Sequence, residues 1–123
     1  MKVGSKVLVS DNSGVSLLKI IKILRKPANS SATIGDFVIG SAARINLRQK
    51  FKVKKGQICR ALVIRTAEPV RTKDGRRIRF QYPAVVIVSR RGIPKGTKIH
   101  GPVSIRIREM GFIKVVSLST IAI

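Results

Sequence analysis

Apolar and polar residues alternate along this chain in short runs cut by Gly, Pro, Asn and Asp. Residues 6–9 read as a strand, ended by Asp11-Asn12-Ser13-Gly14, a turn in which Asn or Gly takes positive φ. Residues 15–24 fit two patterns. Leu17, Ile20, Ile21 and Leu24 share a helical face, whereas the Ile and Val content and the flanking turns favour a strand. Pro27-Ala28-Asn29-Ser30-Ser31 reads as a loop, and Ile34-Gly35-Asp36 leads into a strand at Phe37-Val38-Ile39. Residues 44–55 read as a basic connection, a hairpin that closes at Gly56.

Residues 58–66 are apolar on both faces, with Ile58, Leu62 and Ile64 against Cys59, Ala61 and Val63, as an interior strand requires. A loop over 68–75 follows, with Asp74-Gly75 as a hairpin signal. Ile78, Phe80 and Tyr82 then alternate with Arg77, Arg79 and Gln81, which predicts a strand with one face inward and one outward. Pro83 interrupts pairing before another strand at 85–88. Beyond Gly92-Ile93-Pro94-Lys95-Gly96 the pattern loosens, and residues 103–109 fit a short helix behind Pro102. Five or six short strands with regular turns in about a hundred residues predict a small closed β-barrel.

Composition strengthens that picture. The chain has 123 residues and a mass of 13.5 kDa, enough for one ordinary domain, and no linker or repeat divides it. It holds 17 Ile and 14 Val against 7 Leu and 8 Ala, a β-branched bias that suits pleated sheets. Twenty-six Lys and Arg face five acids, a formal charge of +21, yet 44% of residues are hydrophobic and the mean hydropathy is +0.14. Such a composition describes a folded core inside a cationic shell rather than a disordered basic tail. The longest uncharged stretch, residues 80–89, is too short for a transmembrane helix. The opening residues show neither an apolar signal core nor an Arg/Ser-rich presequence.

Little in the sequence invites catalysis. Asp11, Asp36, Glu68, Asp74 and Glu109 are far apart in sequence, and three of them stand beside Gly or Asn in turns, where a carboxylate often only bonds nearby backbone. Cys59 is the single cysteine, so no internal disulfide forms, and within an apolar run it reads as a core residue. Cys59 and the lone His100 fall short of a four-ligand zinc site. His100, in a turn, reads as structural or RNA-facing. Gly96-Thr97-Lys98 lacks the residue order of a phosphate loop. The chain is expected to be no enzyme and to need no cofactor or metal.

The cations point elsewhere. Fifteen Lys and Arg lie within residues 44–91, against Glu68 and Asp74. Surfaces normally mix both signs, so a polyanion is the expected partner, bound through counterion release and weakened by salt. Half of the cations are Arg, whose planar fork grips phosphate and stacks on bases. The candidate RNA contacts are Arg44, Arg48, Lys50, Lys52, Lys54 and Lys55 in the basic connection. Arg71, Lys73, Arg76, Arg77 and Arg79 follow around the predicted hairpin, then Arg90, Arg91, Lys95 and Lys98. The aromatics are Phe37, Phe51, Phe80, Tyr82 and Phe112, too few for an extended stacking platform. Abundant Arg with scarce aromatics favours reading the shape and backbone of folded RNA. No basic amphipathic helix is evident, so no membrane partner is expected.

Several strings resemble one family in order along essentially the whole chain. Val9-Ser10-Asp11-Asn12-Ser13-Gly14 is similar to the opening of the universal large-subunit ribosomal protein L-fourteen family. Lys52-Val53-Lys54-Lys55-Gly56 leading into Ala61-Leu62-Val63-Ile64-Arg65-Thr66 continues the likeness, as do Asp74-Gly75, Ile78-Arg79-Phe80 and Val85-Val86-Ile87. Gly96-Thr97-Lys98-Ile99-His100-Gly101-Pro102-Val103 and Phe112-Ile113-Lys114-Val115-Val116-Ser117-Leu118 complete it.

The resemblance implies a mostly β fold: a five-stranded barrel over about residues 1–100, and a C-terminal part at about 101–123 with one or two small helices, within one domain. It implies a structural constituent of the large ribosomal subunit that binds large-subunit rRNA and bridges to small-subunit rRNA at the subunit interface. Neighbouring large-subunit proteins are implied partners, as is a ribosome silencing factor seated near Thr97, Lys98, Lys114 and Ser117. The chain departs from the family pattern at Gln81, Pro83 and Arg106 and in a tail without acids, which bears on the geometry after Phe80 and on C-terminal contacts. Those departures and the scarcity of acids lean towards a mitochondrial ribosome, with the bacterial cytoplasm as the alternative. The competing function is a free-standing barrel that binds single-stranded nucleic acid.

Overall fold

The computed structural model describes residues 1–27, 29–46, 54–71, 73–119 and 122–123. Ala28 of the first loop, and Arg48, Lys50, Phe51 and Lys52 of the basic connection, lie outside the described residues. The β-branched runs form strands β1 (Lys6–Val9), β2 (Val15–Ile23), β3 (Phe37–Ile45), β4 (Ile58–Arg65), β5 (Val70–Arg71), β6 (Arg77–Ile78) and β7 (Ala84–Val88). Two short helices follow, α1 (Ile105–Glu109) and α2 (Ile113–Leu118). β1, β2, β3, β4 and β7 close into a five-stranded barrel in that order. β1 and β7 pair in parallel and the other neighbours antiparallel, while β5 and β6 make a separate two-stranded ribbon.

The stretch with two patterns resolves as a strand over Val15–Ile23, with an irregular register. β2 slips against β3 between Val15 and Leu17, between Leu17 and Leu18, and between Ile20 and Lys22. A bulge places an extra residue between inward positions. Val15, Leu18, Ile20 and Ile23 are the buried set, whereas Leu17, Ile21 and Leu24 of the helical pattern are not buried. Inside, the barrel is narrow. A Cβ on Gly40 would stand 2.5 Å from the Lys19 carbonyl oxygen and 2.7 Å from Leu18 Cγ, so only glycine lets β3 approach β2 there.

From Ala61 onward β4 is buried on both faces because two different layers cover it, whereas Ile58 at its start is exposed, contrary to expectation. Cys59, Ala61 and Val63 point into the barrel with Val7, Leu18, Val38, Val85 and Ile87. Leu62 and Ile64 point outward, with Val86 and Val88 of β7, and pack under Ile99, Val103, Ile107 of α1 and Val115 of α2. The C-terminal part thus seals the outer face of β4 and β7. Each fully buried Val, Leu or Ile contributes about 1.5–3 kcal/mol of hydrophobic stabilisation.

Three expectations are corrected. The basic connection begins later than residue 44, because β3 runs on to Ile45 and pairs Arg44 with Leu17; the turn closes where Gly56 N–H donates to the Ala42 carbonyl (2.8 Å). The strand expected through Tyr82 is only Arg77–Ile78, since Val70 and Arg71 supply a partner for just two residues. Phe80 is buried in the outer core but Tyr82 is 48% exposed, so Arg77 and Arg79 do not share a strand face. The helix expected from residue 103 starts at Ile105, because Val103 bridges to Ala122 and the Ser104 hydroxyl caps the helix by accepting from Arg106 N–H (3.3 Å).

Candidate nucleic-acid interface

The turn after β1 is a clamp. Asp11 is buried, and its carboxylate accepts from Ser13 N–H (3.1 Å), the Ser13 hydroxyl (2.6 Å) and Ile87 N–H of β7 (2.9 Å). Burial pushes this carboxyl above its ordinary range, and those bonds pull against it without cancelling it. Beside it, Asn12 Oδ1 accepts from Thr97 N–H (2.8 Å) and Lys98 N–H (3.2 Å), and its Nδ2 donates to the Thr97 hydroxyl (2.8 Å). A Cβ on Gly96 would stand 2.7 Å from Asn12 Oδ1, so glycine is needed for the loop to come this close. Lys95 N–H donates to the Ile87 carbonyl (3.0 Å), which fixes the other end of the loop. Lys95 and Lys98 are thereby exposed on backbone held to the barrel from both sides.

A second brace lies at the end of β4. Arg65 is buried, and its guanidinium donates to the Ser10 hydroxyl (2.6 Å) and to the carbonyls of Pro102 (2.8 Å) and His100 (3.3 Å). It also lies over the Tyr82 ring, 5.7 Å from its centroid. Desolvation lowers its pKa, and among the described residues no carboxylate pairs with it. This cation is structural: it ties β1, β4 and the segment before α1. Cys59 is likewise structural, a thiol pushed up and away from the thiolate by burial.

The described cations of the candidate set face solvent. Of the candidate RNA contacts, Arg44, Lys54, Lys55, Arg71, Lys73, Arg76, Arg77, Arg79, Arg90, Arg91, Lys95 and Lys98 are described, and all are exposed. Arg48, Lys50 and Lys52 lie outside the described residues. Arg71, Lys73, Arg76 and Arg77 are grouped by the β5–β6 ribbon, where Arg76 pairs with Asp74 (3.3 Å). Arg90 and Arg91 sit in the tight turn that leaves β7, closed by Gly92 N–H to the Ser89 carbonyl (3.0 Å). The segment with Thr97 and Lys98 is joined to the end of α2 by Ile99 N–H to the Leu118 carbonyl (3.2 Å). On α2, Lys114 and Ser117 are exposed one turn apart, with the Ser117 hydroxyl donating to the Lys114 carbonyl (2.8 Å). Thr97 is exposed too, though its hydroxyl already serves the Asn12 clamp.

Two cations absent from the sequence-derived set also reach this surface. Arg25 and Arg60 line the same open cleft as Arg90 and Arg91. Arg60 had a signal, since it is a cation inside the apolar run of β4; Arg25 and the partners of Asn12 had none in one dimension.

Comparison with known proteins agrees with this architecture. The sequence profile of the family described as ribosomal protein L14p/L23e matches residues 1–123. The large ribosomal subunit protein uL14 of Petrotoga mobilis (strain DSM 10674 / SJ95) is 39% identical over 115 residues, covering 94% of this chain and 93% of that protein. A closed five-stranded barrel sealed by two C-terminal helices, clamped by its Asp-Asn-Ser-Gly turn and matched from end to end, belongs to the ribosomal protein L14p/L23e family.

Proposed function

We propose that this protein is a structural constituent of the large ribosomal subunit, that it binds large-subunit rRNA through its cationic surface, and that it contributes to the interface with the small subunit during translation. One observation carries the RNA reading: twelve exposed Lys and Arg of the candidate set stand on the end of β3, on loops and on the β5–β6 ribbon, and the acids available to neutralise them are few. Those anchored to the barrel, such as Lys95 and Lys98 on the clamped loop, are held at fixed separations, where they bridge phosphates that would otherwise repel one another. The role is positional rather than catalytic. The burial of β4 beneath the C-terminal part supports treating residues 1–123 as one domain.

The face carrying Thr97, Lys98, Lys114 and Ser117 is the proposed seat of a neighbouring protein, including a ribosome silencing factor; small-subunit rRNA and adjacent large-subunit proteins are the other proposed partners. The scarcity of acids favours a mitochondrial ribosome, whereas the relative from a bacterium favours a bacterial one, and sequencing the encoding genome decides between them. Sedimentation of a low-salt lysate tests the function itself. The protein is expected to travel with large subunits. A pool that runs free of them overturns this reading in favour of a free-standing barrel on single-stranded nucleic acid.

A further inference from the structure

Arg60 stands where β4 otherwise places apolar side chains, opposite Ile39 of β3 and Val88 of β7. It is half-buried, with its guanidinium over the Phe37 ring, 5.0 Å from the centroid. Its Nε is buried without a hydrogen-bond partner, and among the described residues the guanidinium meets the ring but no acceptor. A charged donor left this way is costly, and native structures almost always satisfy it. The contrast with Arg65, which is more buried and bonded to three oxygens, shows that this fold is able to satisfy a guanidinium internally. The buried Nε is out of reach of a ligand, but Arg60 also lines an open cleft, where another molecule can meet the side chain.

The surroundings describe that molecule. Arg25, Arg90 and Arg91 join Arg60 around an open cleft of about 720 Å³. Phe37 and Phe112 form its aromatic wall, edge to face at 80° with centroids 5.6 Å apart. The acid in the cleft, Asp36, is held by Lys26 (2.7 Å) and Thr33 N–H (2.7 Å), so it leaves the arginines unopposed. Arg25 has φ 62°, the only non-glycine among the described residues with positive φ. Such backbone is uncommon outside Asn, Asp and Gly and tends to persist at functional positions.

Cations alone would suit any stretch of phosphodiester backbone. An aromatic wall bearing a flat guanidinium adds a surface for a planar group, the way unstacked bases are held. We propose that this cleft is a subsite for a single unstacked nucleotide of RNA, its phosphate among Arg25, Arg90 and Arg91 and its base against Arg60 and Phe112. The subsite rests on the rRNA-binding reading above and adds to it one extruded nucleotide within an otherwise backbone-directed contact.

The test uses the full chain and two RNA hairpins identical except that one carries a single bulged nucleotide. Fluorescence anisotropy at fixed salt is expected to show the bulged hairpin binding about tenfold tighter, the scale of one base–aromatic stack. Arg60→Gln and Phe112→Leu are each expected to abolish that preference, while affinity for the paired hairpin changes by less than about threefold. If Phe112→Leu fails to fold, Arg60→Gln alone carries the test. Equal affinity for the two hairpins, or a preference kept in Arg60→Gln, overturns the subsite and leaves the rRNA reading standing. Failure to bind either hairpin overturns both. Shifts of the Phe112 ring protons with an oligoglutamate peptide, and none with the bulged hairpin, overturn the subsite in favour of an acidic protein segment.

Discussion

Asn12 and Thr97 are 85 residues apart, yet a single amide side chain binds three groups of the loop that carries Lys98. Neutral hydrogen bonds contribute roughly 0.5–1.5 kcal/mol each, and less where water competes. Asn12→Ala is therefore expected to cost about 1–2 kcal/mol in urea titration. More specifically, the Thr97 and Lys98 amides should exchange faster in the variant while β7 amides keep their protection; unchanged exchange at both would dismiss the clamp. Asp11 makes the opposite kind of prediction, one of pH. Its carboxyl titrates above 3.8 because burial outweighs its hydrogen bonds. Between 3.8 and its folded value the native protein holds the proton more tightly than the unfolded chain does. Stability from this group therefore rises as pH falls through that window and is lost as pH climbs. Measured against Asp11→Asn, the wild type should gain stability as pH falls towards 4; a wild-type-minus-variant stability that ignores pH, or falls on acidification, contradicts it.

The strands are held unequally. The β5–β6 ribbon contains two residue pairs and stands outside the closed barrel, whereas β4 is paired on both edges and covered on both faces. Hydrogen exchange should accordingly be at least about a hundredfold faster at Arg71 and Arg77 than at Ala61 to Val63, because few buried contacts oppose local opening of the ribbon. A ribbon as protected as β4 would show that it is braced by contacts not evident in the fold. The same inequality decides what was legible beforehand. β4 announced itself because double-sided burial writes an unbroken apolar run. β2 is ambiguous because Leu17, Ile21 and Leu24, apolar but outside the buried set, complete a helical pattern with Ile20, while bulges shift the inward positions off a period of two. The alternation through Tyr82 overstates the strand because it says nothing about whether a partner lies beside it, and once pairing ends at Ile78 the inward face is lost by Tyr82. Exposed cations were legible as a class, but the convergence of Arg25, Arg60, Arg90 and Arg91 depends on closure of the barrel and has no local trace.

At the scale of the whole molecule, the charge is more one-sided than its sum of +21. Asp11 is buried and engaged with backbone, Asp36 is taken by Lys26 and Asp74 by Arg76, which leaves Glu68 and Glu109 of the five acids. Cations anchored to the closed barrel cannot relax away from one another as they would in a flexible tail, which makes phosphate the counter-charge on the proposed RNA reading. Each phosphate contact releases condensed counterions, and the logarithm of the binding constant should fall linearly with the logarithm of salt concentration. Arg77 and Arg79 flank Ile78 and are both exposed, but only Arg77 lies in β6. They therefore offer two separable contacts. Arg77→Ala and Arg79→Ala are each expected to lower the slope by about one unit, and the double variant by about two, with little change in the thermal midpoint of the free protein. A slope reduced by one in the double variant assigns a single phosphate to this segment. An unchanged slope removes the ribbon from the interface, and the RNA would then have to be carried by Lys54, Lys55 and the clamped loop of Lys95 and Lys98.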